Sequence, residues 1–456
     1  MKIPHFSIRY SFLLILGCLM LSSLVSTETL VNAAPQLQVG KLKSNQKIST
    51  EQGDLGNVLS NGSRFGSAVV GLGDLNGDGV DDIAVGEPNA VEGGDVEHKG
   101  AVWILFLKRN GKVKTKQEIS AAAGGLDVGT EAYSSFGAAL ANLGDLDGDG
   151  VTDLAVGLPL TDADGPGKGA VWILFLKNDG TVKQQQIISA TTVDGLKLDD
   201  EDFFGSALAN LGDLDGDGRI ELAVGAPGDD DGGEDGSRGA IWVLTLTHDG
   251  KVYRKQKISA SGGFDGPLAE FDQLGQSLAV LGDVNQDGVT DMAAGVSRLD
   301  DEEIQARGAI WLLFMKADGT IDHQQEISQL SGLFGAGPSD GARYGSALAG
   351  IGDTNGDGIP DLVVGAPSHR DNTKKRDQGA IWILSLKRDG LVEDASRLTT
   401  KTDKLRSDLD KDDQFGWSIA NLGDLDGDDK VDLVIGAPGD DDGGDERGAV
   451  WLALLK

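Results

Sequence analysis

Six short stretches of this sequence carry oxygen-bearing side chains at every second position, and that type and spacing suit a hard, oxygen-seeking dication. Counting positions 1, 3, 5, 7 and 9, with position 7 offering its backbone carbonyl, the first stretch is Asp74, Asn76, Asp78, Val80 and Asp82. The second is Asp145, Asp147, Asp149, Val151 and Asp153, and the third Asp213, Asp215, Asp217, Arg219 and Glu221. The fourth is Asp283, Asn285, Asp287, Val289 and Asp291, and the fifth Asp353, Asn355, Asp357, Ile359 and Asp361. The sixth, Asp424, Asp426, Asp428, Lys430 and Asp432, has Asp429 where the others have glycine, so its geometry is the one the sequence fixes least. Carboxylates this crowded repel one another strongly without a counter-ion. Calcium fits better than magnesium, which prefers fewer protein ligands and retained water. An EF-hand would need a glutamate at position 12 between helices, and position 12 of the first stretch is Val85, in an apolar run. A solvated acidic turn is the alternative for any single stretch, and six copies in register argue against it. The expectation is up to six Ca2+ ions, one per repeat.

No catalytic constellation accompanies these loops. The five histidines, at 5, 98, 248, 323 and 369, form no close pair, and neither His-Glu-x-x-His nor Gly-x-Ser-x-Gly occurs. Trp103, Trp172, Trp242, Trp311, Trp382 and Trp451 fall at one equivalent position, which suits packing between repeats better than stacking on sugars. Two acidic runs, Asp229-Asp230-Asp231 and Asp440-Asp441-Asp442, read as solvated loops with further cation sites as the alternative. Lys374-Lys375-Arg376, a basic cluster on the long-loop side, reads as an ordinary exposed loop, with contact to an acidic partner as the alternative.

The elements that must hold the acidic loops repeat as well. Phe65-Gly66, Phe136-Gly137, Phe204-Gly205, Leu274-Gly275, Tyr344-Gly345 and Phe415-Gly416 place successive glycines 68 to 71 residues apart. The units span about 50–120, 121–189, 190–259, 260–328, 329–399 and 400–456. In the first, Ser67–Leu72 and Ile83–Val85 flank the acidic loop, Gly100–Leu107 is β-branched and aromatic, and Lys112–Ser120 roughly alternates. Asn110-Gly111, Asp179-Gly180, Asp249-Gly250, Asp318-Gly319 and Asp389-Gly390 supply tight hairpins between the last two runs. Four antiparallel strands repeated head to tail bury both sheet faces only when the sheets stack radially, which predicts an all-β, six-bladed β-propeller. The sixth unit lacks its fourth strand, and residues 41–49 resemble Lys112–Ser120, so they are expected to complete that blade and close the ring.

Residues 1–33 combine Lys2 and Arg9, an apolar run from Phe12 to Leu21, and the small pair Ala33-Ala34, which reads as a secretory signal peptide cleaved after Ala33. The lone cysteine, Cys18, leaves a lipoprotein signal as the alternative. Residues 34–456 form the propeller, with no later run approaching a membrane span and no cysteine for a disulfide. The charge of −33, from 73 acidic and 40 basic residues, argues against nucleic acid as partner.

The order Phe-Gly, then residues 73–88 (Gly-Asp-Leu-Asn-Gly-Asp-Gly-Val-Asp-Asp-Ile-Ala-Val-Gly-Glu-Pro), then Gly100-Ala101, resembles the FG-GAP repeat of integrin α-subunit head propellers. Unit three is closer still, with Gly225-Ala226-Pro227 and Gly239-Ala240. The resemblance implies calcium at the five loop positions of each unit and ring closure by an N-terminal outer strand. Integrin heads resemble seven-bladed rings with calcium in only some blades, whereas this chain has six units with a full ligand set in each. Unit four departs most, with Leu274, Gln286 and Gly295-Val296-Ser297, and an altered blade junction is expected there.

In such a meander the 1-2 and 3-4 connections share one face and the 2-3 and 4-1 connections the other. The acidic loops and hairpins therefore occupy the first face. The long variable segments Glu87–Lys99, Thr191–Asp202, Asp229–Arg238 and Ser368–Gln378 occupy the second, where binding is expected. The predicted function is a non-enzymatic protein or polysaccharide binding or adhesion module, secreted, periplasmic or at the cell surface. A hydrolase or lyase with an axial site, and a purely structural envelope component, are the alternatives.

Overall fold

The computed structural model describes residues 41–456 apart from 92–98, 127–133, 231–235, 297–307, 329–336, 340, 371–377, 400, 401, 403, 404 and 406–408. The expected signal peptide, His98 and the Lys374-Lys375-Arg376 cluster lie outside the described residues. Twenty-four strands form six four-stranded antiparallel sheets, with no helix among the described residues. The first blade is Ala68–Gly73, Asp82–Glu87, Ala101–Leu107 and Val113–Ile119, paired in chain order. Blades two to five repeat that order, and the innermost strands touch from blade to blade, including blade six to blade one, so the ring is closed.

The clasp is the strand Leu42–Ile48, which pairs antiparallel with Ala449–Leu455 from Leu42↔Leu455 to Ile48↔Val450. It takes the place expected for residues 41–49 and covers the last open edge.

Both faces of each sheet are buried, which is why the second and third strands read as unbroken apolar runs. Side chains alternate between two inter-blade cores: Trp103 and Leu105 pack with Val450 and Leu452 of blade six, while Val102 and Ile104 pack with Trp172 and Leu174 of blade two. The six equivalent tryptophans are all buried in such layers, as packing rather than sugar stacking requires. Fourth strands are the outer ones and half exposed.

The Phe-Gly pair makes the blade junction. Phe136 is fully buried, and Gly137 adopts φ +90°. Gly86, in the second strand of the preceding blade, comes so close that a Cβ there would lie 2.0 Å from the Gly137 carbonyl oxygen. A side chain on either glycine would push the blades apart. The junction expected to be altered at unit four is not: Leu274 is fully buried, and Gly275 has φ +87° against Gly225 as its equivalents do. Leucine fills the aromatic's place because the close approach depends on the glycines.

The acidic loops and the axial mouth

Each acidic loop joins the first and second strands of its blade and is organised by its own backbone. Position 1 accepts N–H donors with both oxygens: Asp74 takes Asp78 N at 2.8 Å and Gly79 N at 2.7 Å, and Asp145 takes Asp149 N and Gly150 N, each at 2.8 Å. Asp213, Asp283 and Asp353 do the same. Position 5 turns back on position 7, as in Asp78 with Val80 N and Asp149 with Val151 N. Asp217, Asp287, Asp357 and Asp428 likewise accept from Arg219, Val289, Ile359 and Lys430.

The sixth loop, whose geometry the sequence left most open, makes the same turn without the glycine. Asp429 adopts φ +63° and donates its N–H to Asp424 at 2.7 Å, doing what glycine does elsewhere. Aspartate tolerates the left-handed region better than most residues.

Position 9 is different in kind. Asp82, Asp153, Glu221, Asp291, Asp361 and Asp432 are all buried, between 0% and 1% exposed. Asp153 accepts Leu146 N at 3.0 Å from position 2 and Leu176 N at 3.1 Å from the end of the third strand. Asp291 and Asp432 are held the same way, by Val284 and Met315 and by Leu425 and Leu455. The carboxylate thus ties its loop to the far edge of the hairpin. Burial pushes Asp82 up to about 7 and Asp153, Asp291 and Asp432 up to about 6, opposed by these N–H donors and reinforced by neighbouring carboxylates.

Carboxylate oxygens converge within 4.8 Å of one another in three loops: Asp145, Asp147 and Asp153; Asp213, Asp215 and Asp217; and Asp424, Asp426 and Asp432. The first, fourth and fifth loops have Asn76, Asn285 and Asn355 at position 3, which offer a neutral amide oxygen instead. Desolvated carboxylates beside further carboxylates match the donor set of a hard dication.

Two features were not read from the sequence. Lysines of the outer strands reach over the loops: Lys183 Nζ lies 2.8 Å from Asp147 and 2.6 Å from Asp149, Lys43 2.8 Å from Asp426 and 2.6 Å from Asp428, and Lys114 2.7 Å from Asp78. Blades four and five carry Asp322 and Glu393 at that position instead. Second, the first residues of the acidic runs are not solvated. Asp229 is 3% exposed and pairs with Lys257 at 2.7 Å, and Asp440 is 1% exposed and pairs with Lys47 at 2.5 Å. A lysine on the outer strand of the same blade, two strands away, draws each inward, a contact invisible in the run itself.

The acidic loops and the 3-4 hairpins share a face: Arg109 Nη2 of the first hairpin donates to Gly79 O at 3.0 Å. At the other end the 4-1 and 2-3 connections converge on the axis around a cavity of about 750 Å³, lined by Arg64, Asn89, Phe203, Gln276, Arg343 and Trp417 among others.

The family described as FG-GAP repeat matches residues 65–105, 136–174, 204–244, 344–384 and 415–452, every unit but the fourth. Integrin alpha-4 of Xenopus laevis is 34% identical over 169 residues, 36% of this chain and 14% of that protein. Integrin alpha-PS2 of Drosophila melanogaster is 37% identical over 171 residues, 36% of this chain and 12% of that protein. Integrin alpha-3 of Cricetulus griseus is 34% identical over 200 residues, 44% of this chain and 17% of that protein. The matches thus span under a fifth of the length of these relatives.

Proposed function

The chain is an integrin-α-like FG-GAP β-propeller, and from that premise we propose that it is an extracellular, calcium-loaded module that binds a protein or carbohydrate ligand through the face of its 2-3 and 4-1 loops. The observation that carries this is the contrast between the two ends of the ring. One end repeats a single acidic loop six times and a single hairpin five times. The other gathers dissimilar side chains around an axial cavity. A scaffold that keeps one face constant and varies the other is built to present a recognition surface.

Calcium is assigned to positions 1, 3, 5, 7 and 9 of each loop, up to six ions, from the donor chemistry and the buried carboxylates. When bound, it would neutralise the crowded charge and clamp each loop. The chain's own residues do the rest: position 1 shapes the turn through backbone N–H donors, and position 9 ties it to the third strand. The role in this reading is binding rather than catalysis.

The test is an array of extracellular proteins and polysaccharides probed with residues 34–456 in calcium and in EDTA. Binding that disappears when Thr191–Asp202 and its counterparts are scrambled, while the fold persists, supports the assignment. Binding unaffected by the scramble, or turnover in a hydrolase and lyase screen, overturns it.

A further inference from the structure

The six acidic loops share one sequence pattern but not one charge balance. Loops two, three and six set four carboxylates against a cation that reaches over from the outer strand: Lys183 on Asp147 and Asp149, Arg254 on Asp215 at 3.1 Å, and Lys43 on Asp426 and Asp428. Loops four and five have three carboxylates, because Asn285 and Asn355 stand at position 3, and Asp322 and Glu393 stand where blades one, two and six place the lysine. Among the described residues no ion pair reaches those loop carboxylates. Loop one alone combines the smaller acidic set with the cation. It has Asn76 at position 3, and Lys114 Nζ lies 2.7 Å from Asp78.

Loop one is also closed by its own amide. Asn76 Nδ2 donates to Oδ2 of the buried Asp82 at 3.1 Å, so position 3 turns a donor toward the position-9 carboxylate. In loops four and five the amide nitrogen bonds position 5 instead, Asp287 and Asp357 each at 2.9 Å, and the amide oxygen accepts the position-5 N–H. Arg109 Nη2 adds a further tie to loop one, on Gly79 O at 3.0 Å. Loop three shows the opposite state. Glu221 is 0% exposed and its Oε1 has no hydrogen-bond partner, while oxygens of Asp213, Asp215 and Asp217 lie within 4.8 Å of one another. Arg219, which pairs with Asp217, is also stacked on the exposed ring of Tyr253 at 4.4 Å.

We propose that Asn76 and Lys114 make the loop of blade one the weak calcium site of the ring, latched by the chain's own amide and ammonium and filled only after the other five. This rests on the calcium assigned to these loops. Affinity in oxygen-ligand loops follows the number of charged ligands and the rigidity of the site. A dication and an ammonium about 5 Å apart in water repel enough to weaken binding roughly tenfold at low salt. Turning the amide oxygen inward also costs the Asn76–Asp82 hydrogen bond. In about 1 mM calcium the other sites are then largely loaded, and blade one is the blade whose occupancy follows the surrounding concentration.

The experiment titrates calcium-free residues 34–456 with calcium by calorimetry at low salt, in wild type, Asp74→Asn and Asn76→Asp/Lys114→Met. Wild type is expected to take five ions in one class and a sixth roughly tenfold or more weaker. Asp74→Asn is expected to lose the weak step and keep the five, with the fold checked by tryptophan emission. Asn76→Asp/Lys114→Met gives loop one four carboxylates and no ammonium, and is expected to move the sixth ion into the tight class. Six equivalent ions in wild type, loss of a tight ion in Asp74→Asn, or an unchanged weak step in the double variant overturns the proposal. Three tight and three weak ions also overturn it, because position 3 alone would then set affinity. No calcium uptake by any of the three proteins overturns the calcium assignment itself, a result separable from ligand binding on the extracellular array.

Discussion

Asp153→Ala separates two roles that the buried position-9 carboxylate combines, a tie and a ligand. Asp153 is 1% exposed, and its oxygens accept Leu176 N at 3.1 Å and Leu146 N at 3.0 Å. Alanine strands both donors inside the blade. Each unsatisfied buried N–H costs about 1–3 kcal/mol, so loss of the tie amounts to about 2–6 kcal/mol with or without metal. Loss of a ligand acts only in calcium. At tenfold above Kd, one site selective for the native chain contributes about 1.4 kcal/mol. Urea unfolding followed by tryptophan emission, in EDTA and in about 1 mM calcium, reads both, since extracellular modules bind at about 0.1–1 mM. The wild-type minus variant difference is expected to be present in EDTA and to grow by about 1.4 kcal/mol in calcium. Asp179→Ala, which removes an exposed hairpin acceptor from Thr181 N at 3.0 Å, is the control and stays within about 0.5 kcal/mol in both buffers. No difference in EDTA refutes the tie. Identical differences in the two buffers refute the ligand assignment.

The triple change Lys43→Met, Lys114→Met and Lys183→Met removes the ammonium groups that sit on Asp426, Asp428, Asp78, Asp147 and Asp149. Calcium titration is expected to half-saturate at a lower concentration, whereas Lys108→Met, Lys112→Met and Lys251→Met, whose partners are Asp54 and Asp249, leave it unchanged. Equal shifts in both triples would mean that only net charge matters. Lys47→Met strips the buried Asp440 of its counter-ion at the clasp and is expected to destabilise by about 3–5 kcal/mol, with Lys47→Met/Asp440→Asn recovering most of it; a denaturation midpoint that does not move disproves the buried pair. Burial, assisted by nearby carboxylates, pushes Asp202 and Asp413 up to about 7, against Lys257 and Lys47 respectively. Unfolded, these groups release their protons near 3.9, so between about pH 4 and 7 the folded chain holds more protons and stability falls as pH rises through that window. Their contribution is fully present below about pH 4 and lost above about pH 7. In EDTA, Asp202→Asn and Asp413→Asn are expected to flatten this slope relative to wild type, and parallel wild-type and variant profiles count against it.

The clasp shows how far pattern alone reaches. Residues 41–49 match Lys112–Ser120 in the alternation and lysines of a fourth strand, and the last unit visibly lacks one, so the pairing was legible before any coordinates. Leu274 marks a boundary of that method. A departure from the aromatic reads as a damaged junction, but the approach of Gly225 to Gly275 is a backbone contact indifferent to the ring. Asp440 marks another, since an acidic run looks solvated until Lys47, hundreds of residues upstream, arrives on the outer strand of the same blade.

The sequence by itself determined the repeat, the four strands of each blade, the closing strand and the place of the six acidic loops, because each is a local matter of period, turn chemistry and side-chain type recurring in register. Only the tertiary structure decided that position 9 is a buried tie, that lysines cover three of the loops, and that Arg64, Arg343 and Trp417 meet at the axis. Those contacts join segments from opposite strands or opposite ends of the repeat array. Periodicity reports how a segment folds on its neighbours, whereas ring closure sets which distant side chains share a site.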